Sequence, residues 1–227
     1  MTPNQISMQR YRRRAASYDA SAEYTMPLRR RTIALLALQP GEVVLDVGAG
    51  TGLSFAPLLS ALGPRGRVLA FEQSEEMHEQ ACARVAREGW GDRVWLQRAS
   101  AEQVRLPEPA DAALFNYVHD ISRQSAAVEN LMRQLKPGAR IAIAGMKFFP
   151  WWTGPLNLLA WLKNRPYNAL AGDLWSPWDR IEPWCQGFER WSTQWGMGYI
   201  ARGRLPDPLS DPLPDPIPGG SRQEVPR

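Results

Sequence analysis

The run Val44-Leu45-Asp46-Val47-Gly48-Ala49-Gly50-Thr51-Gly52 concentrates more chemical capability than any other stretch of the chain. An apolar run ending in glycines reads as a strand passing into a tight turn. Glycines there let the backbone approach a ligand closely, beside the N-terminus of the following helix. A dinucleotide fingerprint is the first reading of such a turn, and it fits poorly. With Gly48 and Gly50 as its first two glycines, the third position falls on Leu53. Asp46, at the strand end, would oppose a pyrophosphate, whereas it favours an ammonium or another cation. Glu72 lies twenty positions beyond Gly52, closing a second apolar run, where a carboxylate accepts both hydroxyls of a ribose.

His119 is the second chemical candidate. It follows Asn116-Tyr117-Val118 just past a further apolar run, Asp111 to Asn116. A neutral imidazole there takes a substrate's proton or hydrogen-bonds the substrate into line. A histidine satisfied within the fold, bracing its loop, is the competing reading. Asp120 could orient it, but adjacent residues tend to diverge. His78, in a charged helix, reads as surface. No metal constellation is present in the sequence: Cys82 and Cys185 stand alone, without zinc-site spacing or disulfide density.

The elements that must position these residues follow from periodicity. Residues up to about 40 read as one or two helices, a cap segment over 1–40. Pro40-Gly41 breaks them, and Val43 to Gly48 is a buried strand. Leu53 to Leu62 is a helix stopped by Gly63-Pro64. Arg67 to Glu72 is the second strand, and Ser74 caps a helix from Glu75 towards Glu88. Arg93 to Gln97 and Asp111 to Asn116 are the third and fourth strands. A helix near Ala126 to Leu135, a turn at Lys136-Pro137-Gly138 and a fifth strand, Ile141 to Gly145, complete the alternation. Strands alternating with helices at this spacing imply a parallel, doubly wound sheet. After Phe148 the pattern changes: eight of the ten tryptophans lie between Trp151 and Trp195. A helix near Leu156 to Lys163 and another after Ser176-Pro177 are expected. Gly187 to Thr193 and Met197 to Arg204 then read as two antiparallel strands. The fold class is therefore α/β: a doubly wound, mainly parallel seven-stranded sheet, helices on both faces, and an antiparallel C-terminal strand. Its domain spans 41–204 with a Trp-rich insert at 148–186. Residues 205–227, rich in proline and poor in apolar surface, read as a disordered tail.

Together Asp46, the three glycines and Glu72 resemble motif I and the following acidic motif of the class I S-adenosylmethionine (SAM)-dependent methyltransferases. The resemblance covers roughly Val43 to Gly145, including the Leu135-Lys136-Pro137-Gly138 turn. It looks like the group containing ubiquinone/menaquinone methyltransferases and phospholipid N-methyltransferases. Tyr18-Asp19 resembles the Tyr-Asp that often precedes this domain, which adds Tyr18 to the cofactor site. The resemblance implies that Asp46 addresses the methionine end, while Gly48, Ala49, Gly50, Thr51 and Gly52 pass beneath the cofactor. Glu72 would hold the ribose, with Gln73 and Met77 near the adenosine. Ser100-Ala101-Glu102 would border the adenine, Ser100 standing where many relatives have Asp. Asn116 lies where the methyl group points. SAM is then the cofactor and S-adenosylhomocysteine (SAH) its product. Methyl transfer by in-line displacement needs alignment more than acid–base chemistry.

Composition bounds the partners. Apolar residues make up 44% of 227, enough for one substantial core, and the formal charge is +4. No cleavable leader is read at Met1 to Arg10, and Trp151 to Leu162 is too short to span a bilayer. A cytoplasmic location is expected. Arg10, Arg12, Arg13, Arg14, Arg29, Arg30 and Arg31 crowd the N-terminal part. They suit an anionic membrane surface, as does Trp151-Trp152, or else a solvated helix face. The Trp-rich region suits a pocket for an apolar acceptor or simply a core. The acceptor expected is a hydrophobic small molecule or a lipid head group. A nucleic-acid acceptor is less favoured, because Asn116-Tyr117-Val118-His119 is not an Asn-Pro-Pro-Tyr motif. A SAM-binding partner subunit without turnover is the alternative from another class. Oligomeric state is not written in the sequence.

Overall fold

The structure is a computed structural model, and it describes residues 25–147, 176–193 and 196–207. Helix α1 (Met26–Leu35) leads into β1 (Val43–Val47), followed by α2 (Phe55–Leu62), β2 (Arg67–Glu72), α3 (Glu75–Arg87) and β3 (Val94–Arg98). Then come β4 (Ala110–Asn116), the one-turn α4 (His119–Ser122), α5 (Ser125–Met132) and β5 (Leu135–Met146). A 3₁₀ turn at Glu182–Trp184 precedes β6 (Gln186–Thr193) and β7 (Gly198–Arg204). The seven strands form one sheet in the order β3-β2-β1-β4-β5-β7-β6. The pairs from β3 through β5 are parallel, and β7 runs antiparallel to both β5 and β6. The expected fold class is the observed one.

Burial explains the arrangement. Every residue of β1 is buried, as expected of a central parallel strand covered on both faces. Val44 faces a layer with Ile33 of α1, Leu36 that caps it, and Phe55, Leu58 and Leu62 of α2. Val43, Leu45 and Val47 face the opposite layer, with Val128 and Leu131 of α5 and Trp178, Ile181 and Trp184. The alternation is the period of two that a strand imposes. Helix α2 stops at Gly63, whose φ of 66° suits a residue without Cβ. In α3, Ser74 Oγ accepts from Met77 N, as expected of a cap. Glu75 and Glu76 at its start and Arg84 and Arg87 at its end oppose the helix dipole.

Several expected boundaries shift. Helix α2 begins at Phe55, not Leu53, because Gly52 and Leu53 still belong to the turn. Strand β5 begins at Leu135, so Lys136-Pro137-Gly138 is an irregularity within the strand, not a turn before it. Its register skips between Ala110 and Ala112, and Gly138 takes φ 70° there. No α-helix follows Ser176-Pro177. A turn closed by Ile181 N–H to Trp178 O passes into the 3₁₀ segment. Pro183 lacks the amide that would carry an α-helix onward. The helix expected at Leu156 to Lys163 lies outside the described residues, as do Tyr18, Arg10 to Arg14 and Trp151-Trp152. No described helix is long and apolar enough to cross a membrane.

The packed chain also continues past Arg204. Leu205 is 3% exposed, its N–H donates to Ala139 O, and Gly138 N–H donates to Pro206 O. Because the sequence beyond 207 is rich in proline and poor in apolar residues, a chain ending at Asp207 is expected to melt like the full-length protein. One ending at Arg204 forfeits the burial of Leu205, about 1.5–3 kcal/mol. Thermal melts of both truncations check this, and equal midpoints would contradict it.

Candidate functional site

Strand order reverses between β1 and β4, since β2 and β3 lie on one side of β1 and β5 on the far side of β4. The carboxyl ends of strands at such a switch point diverge and leave a crevice. Here the turn after β1, Glu72 closing β2 and Asn116 closing β4 meet around one cavity. Gly48, Ala49, Gly50 and Thr51 form its floor, and Gln73, Met77 and Ala101 line it further along. Gly48 and Gly50 have φ of 57° and 59°, conformations that side chains resist. At Gly48 a Cβ would stand 2.9 Å from Val118 Cγ1 and 3.0 Å from Ile121 Cδ1, so the turn and the α4 segment are in close contact.

Glu72 is 8% exposed, and both its oxygens are engaged. Oε2 accepts Gly50 N–H at 2.9 Å and Oε1 accepts Ser74 N–H at 2.8 Å. The carboxylate thus ties the turn after β1 to the turn after β2. Burial raises its pKa above the usual carboxylate value, against the backbone donors that lower it. Gln73 N–H also lowers it as a third backbone donor, which leaves the carboxylate one lone pair for a ligand hydroxyl.

Asp46 does not line the cavity directly. It is buried behind the turn, where Arg29 and Ser54 reach it. Arg29 Nη1 donates to Ser54 Oγ at 2.7 Å. Desolvation lifts the Asp46 carboxyl to about 7, opposed by the Arg29 charge and the Ser54 hydroxyl and reinforced by Glu72. Asp46 Oδ2, Arg29 Nε and both amide atoms of Asn116 are buried and have no hydrogen-bond partner among the described residues. Such atoms cost stability unless something else satisfies them.

Other expected positions serve differently. Gly52 does not line the cavity: its φ is 79°, and a Cβ there would come 2.5 Å from Phe55 Cε2. Ser100 and Glu102 also lie off its wall, and Ser100 O instead accepts Val104 N–H to start the turn that presents Ala101. His119 is not on the wall either. Its Nε2 accepts Met146 N–H at 3.0 Å, and burial holds its pKa down to about 4, with Arg123 adding to the effect. The wall is supplied instead by its neighbours Tyr117, Val118, Asp120 and Ile121. Tyr117 has φ 59°, an uncommon conformation at a residue with a side chain, and it turns the chain across the strand end.

Sequence reasoning missed Arg29, Ser74 and Asp120 as cavity residues. Arg29 was grouped with a surface patch, yet it is 6% exposed. A signal for it existed: Arg29, Ile33 and Leu36 are spaced as one helix face, and the last two are apolar. Among the described residues no group of three or more His, Cys, Asp or Glu could hold a metal.

Comparison with known proteins bears on this geometry. A family described as "Methyltransferase domain" matches residues 44–138. The demethylmenaquinone methyltransferase of Symbiobacterium thermophilum is 28% identical over 185 residues, 70% of this chain and 74% of that protein. The nocamycin O-methyltransferase of Saccharothrix syringae is 30% identical over 161 residues, 64% of this chain and 54% of that one. The chain spans about half the length of several such relatives. Among solved structures, N-methyltransferase NodS of Bradyrhizobium japonicum, in complex with SAH, superposes with a TM-score of 0.64 at 17% identity. That superposition covers 88% of this chain and 99% of NodS, and it speaks to the fold.

Proposed function

We infer that the chain carries a class I SAM-dependent methyltransferase domain and that it transfers a methyl group from SAM to a hydrophobic small molecule or a lipid head group. The observation that carries the cofactor assignment is the pair of unsatisfied buried atoms beside the glycine turn, Asp46 Oδ2 and Arg29 Nε, with the unsatisfied Asn116 amide left to face the reacting centre. They match a ligand with an ammonium, a carboxylate and a reacting group. Asp46, set behind the turn, would address the ammonium through water or directly, and Arg29 would take the carboxylate of the methionine end. Glu72 would take a ribose hydroxyl, and Met77 and Ala101 would flank the base.

SAM supplies a methyl group on a sulfonium, which departs as a neutral thioether. The protein's part is to hold the partners in line and exclude water. Asn116, with a donor and an acceptor both unengaged, would orient the acceptor atom. Asp120, on the same wall, would receive a proton where the acceptor loses one. The choice of a hydrophobic acceptor rests on the tryptophans that follow β5 in the sequence and on the quinone and small-molecule names of the relatives. Calorimetry with SAM and SAH tests the cofactor. Labelled SAM offered with amines, phenols, quinones, thiols and phospholipids tests the acceptor. A folded protein that binds neither SAM nor SAH would overturn the reading.

Asp46 gives this reading a pH signature. Burial pushes its carboxyl up to about 7. A ligand ammonium beside it favours the charged form and lowers that value. Binding near pH 6.5 must then release a proton, and SAH affinity is expected to rise from pH 6 to pH 8. Calorimetric enthalpies in buffers of different ionisation heat measure the release, and Asp46→Asn is expected to abolish it. Equal affinity at both pH values would remove Asp46 from ligand contact.

A further inference from the structure

Strand β4 ends at Asn116, but its neighbour β5 runs on to Met146. The last backbone bond between the two segments is Tyr117 N–H to Ala144 O, at 2.8 Å. Beyond it, Met146 N–H faces the space that β4 has left, and an amide donor at a partly buried strand end is left to find an acceptor. His119 Nε2 supplies it at 3.0 Å, a side chain standing in for the missing carbonyl. To accept there, the ring must be neutral with its proton on Nδ1.

The surroundings are shaped to this ring. A Cβ on Gly145 would overlap His119 Cε1 and stand 2.9 Å from Nε2. Tyr199 of β7 lies beside it, with ring centroids 6.4 Å apart. On the other side of the same short segment, Val118 and Ile121 press against the Gly48 turn. Ser122 Oγ donates to Pro177 O at 3.1 Å, joining α4 to the Trp178 turn. Helix α4 has four residues, too few to hold its own shape, so these side-chain anchors must place it.

We propose that His119 is a positioning residue: its bond to Met146 N–H docks α4 on the end of β5 and thereby sets the distance between the Val118–Ile121 wall and the glycine turn of the cofactor cavity. It acts through that wall and touches no reacting atom. The proposal rests on the reading of this cavity as the SAM site.

SAH calorimetry on the full chain tests it without any acceptor. His119→Leu keeps comparable bulk and removes the acceptor, and is expected to weaken SAH binding by about tenfold. His119→Gln, whose Oε1 can accept the same N–H, is expected to stay within about threefold of wild type. Gly145→Ala, whose Cβ would overlap the ring and stand 3.0 Å from Tyr199 Cε1, displaces the imidazole without altering it, and should weaken SAH binding like His119→Leu. The double variant His119→Leu/Gly145→Ala should bind no more weakly than the poorer single variant, because both break one contact. A merely structural histidine would lower melting temperature in these variants while the folded fraction kept wild-type affinity. Wild-type SAH affinity in folded His119→Leu or in folded Gly145→Ala would overturn the proposal. Should His119→Leu not fold, Gly145→Ala and His119→Gln decide it, and tenfold weakening in a folded His119→Gln would count against it. A wild-type chain that failed to bind SAH would instead strike down the cavity reading on which the proposal stands.

Discussion

Glu72→Ala is expected to weaken SAH binding by about ten- to a hundredfold, the largest loss at any single cavity side chain. Two effects combine. The variant loses the acceptor for a ribose hydroxyl, and it frees Gly50 N–H and Ser74 N–H, which Glu72 holds at 2.9 and 2.8 Å. Hydrogen bonds to a charged group are worth about 1.5–3 kcal/mol each, and about 1.4 kcal/mol is a factor of ten. Glu72→Gln separates the two effects. Its amide oxygen can keep one backbone donor, while its NH₂ faces the other, so it should fall between wild type and Glu72→Ala. Calorimetry on folded protein measures both variants. Unchanged affinity in Glu72→Ala would remove Glu72 from the site.

Asn116→Leu is expected to have the opposite profile. Both amide atoms of Asn116 are buried without a partner among the described residues, so an apolar residue of similar size should leave melting temperature unchanged or raise it. SAH affinity should move little, because the ribose and methionine contacts lie on β1, β2 and α1. Turnover should fall by about a hundredfold, the scale on which a small misplacement of the acceptor acts. Single-turnover transfer from labelled SAM, with an acceptor from the panel above, reads this directly. Wild-type turnover in a folded, SAH-binding Asn116→Leu would show that its amide does not orient the acceptor.

What was legible in the sequence, and what was not, divides along a physical line. The five parallel strands were readable because a strand buried on both faces leaves a nearly continuous apolar run, as at Val43 to Val47 and Ile141 to Gly145. That Gly48, Gly50 and Glu72 meet at one cavity was readable because the turns that hold them are local, and Gly48 and Gly50 adopt positive φ there. His119 illustrates the other side. Its distance from the strand end placed it at the right edge of the sheet, but its direction depends on Tyr117, whose positive φ no neighbouring residue announces. Gly145 read as the end of a strand, whereas its missing Cβ makes room for the imidazole. Arg29 was hidden by its company, since Arg30 and Arg31 beside it are exposed and share its charge. Only the packing of α1 against α2 selects one of the three for burial. The turn at Pro177 to Ile181 was misread because Ser-Pro suits a helix start equally well, and Pro183 ends the run before a helix forms.

The position of β7 has a consequence for synthesis. In the chain β6 precedes β7, but in the sheet β7 lies between β5 and β6. While the protein leaves the ribosome, β6 emerges with no neighbour to receive it, and β5 keeps an open edge. The Ile141 and Ile143 segment of β5 is thus a bare apolar edge in the nascent chain until residues 198–204 arrive to pair with it. Completion of the sheet therefore waits on nearly the last of the described residues. A stalled or nonsense-truncated product ending before Gly198 would present that edge to other chains, making it a substrate for chaperones or for aggregation.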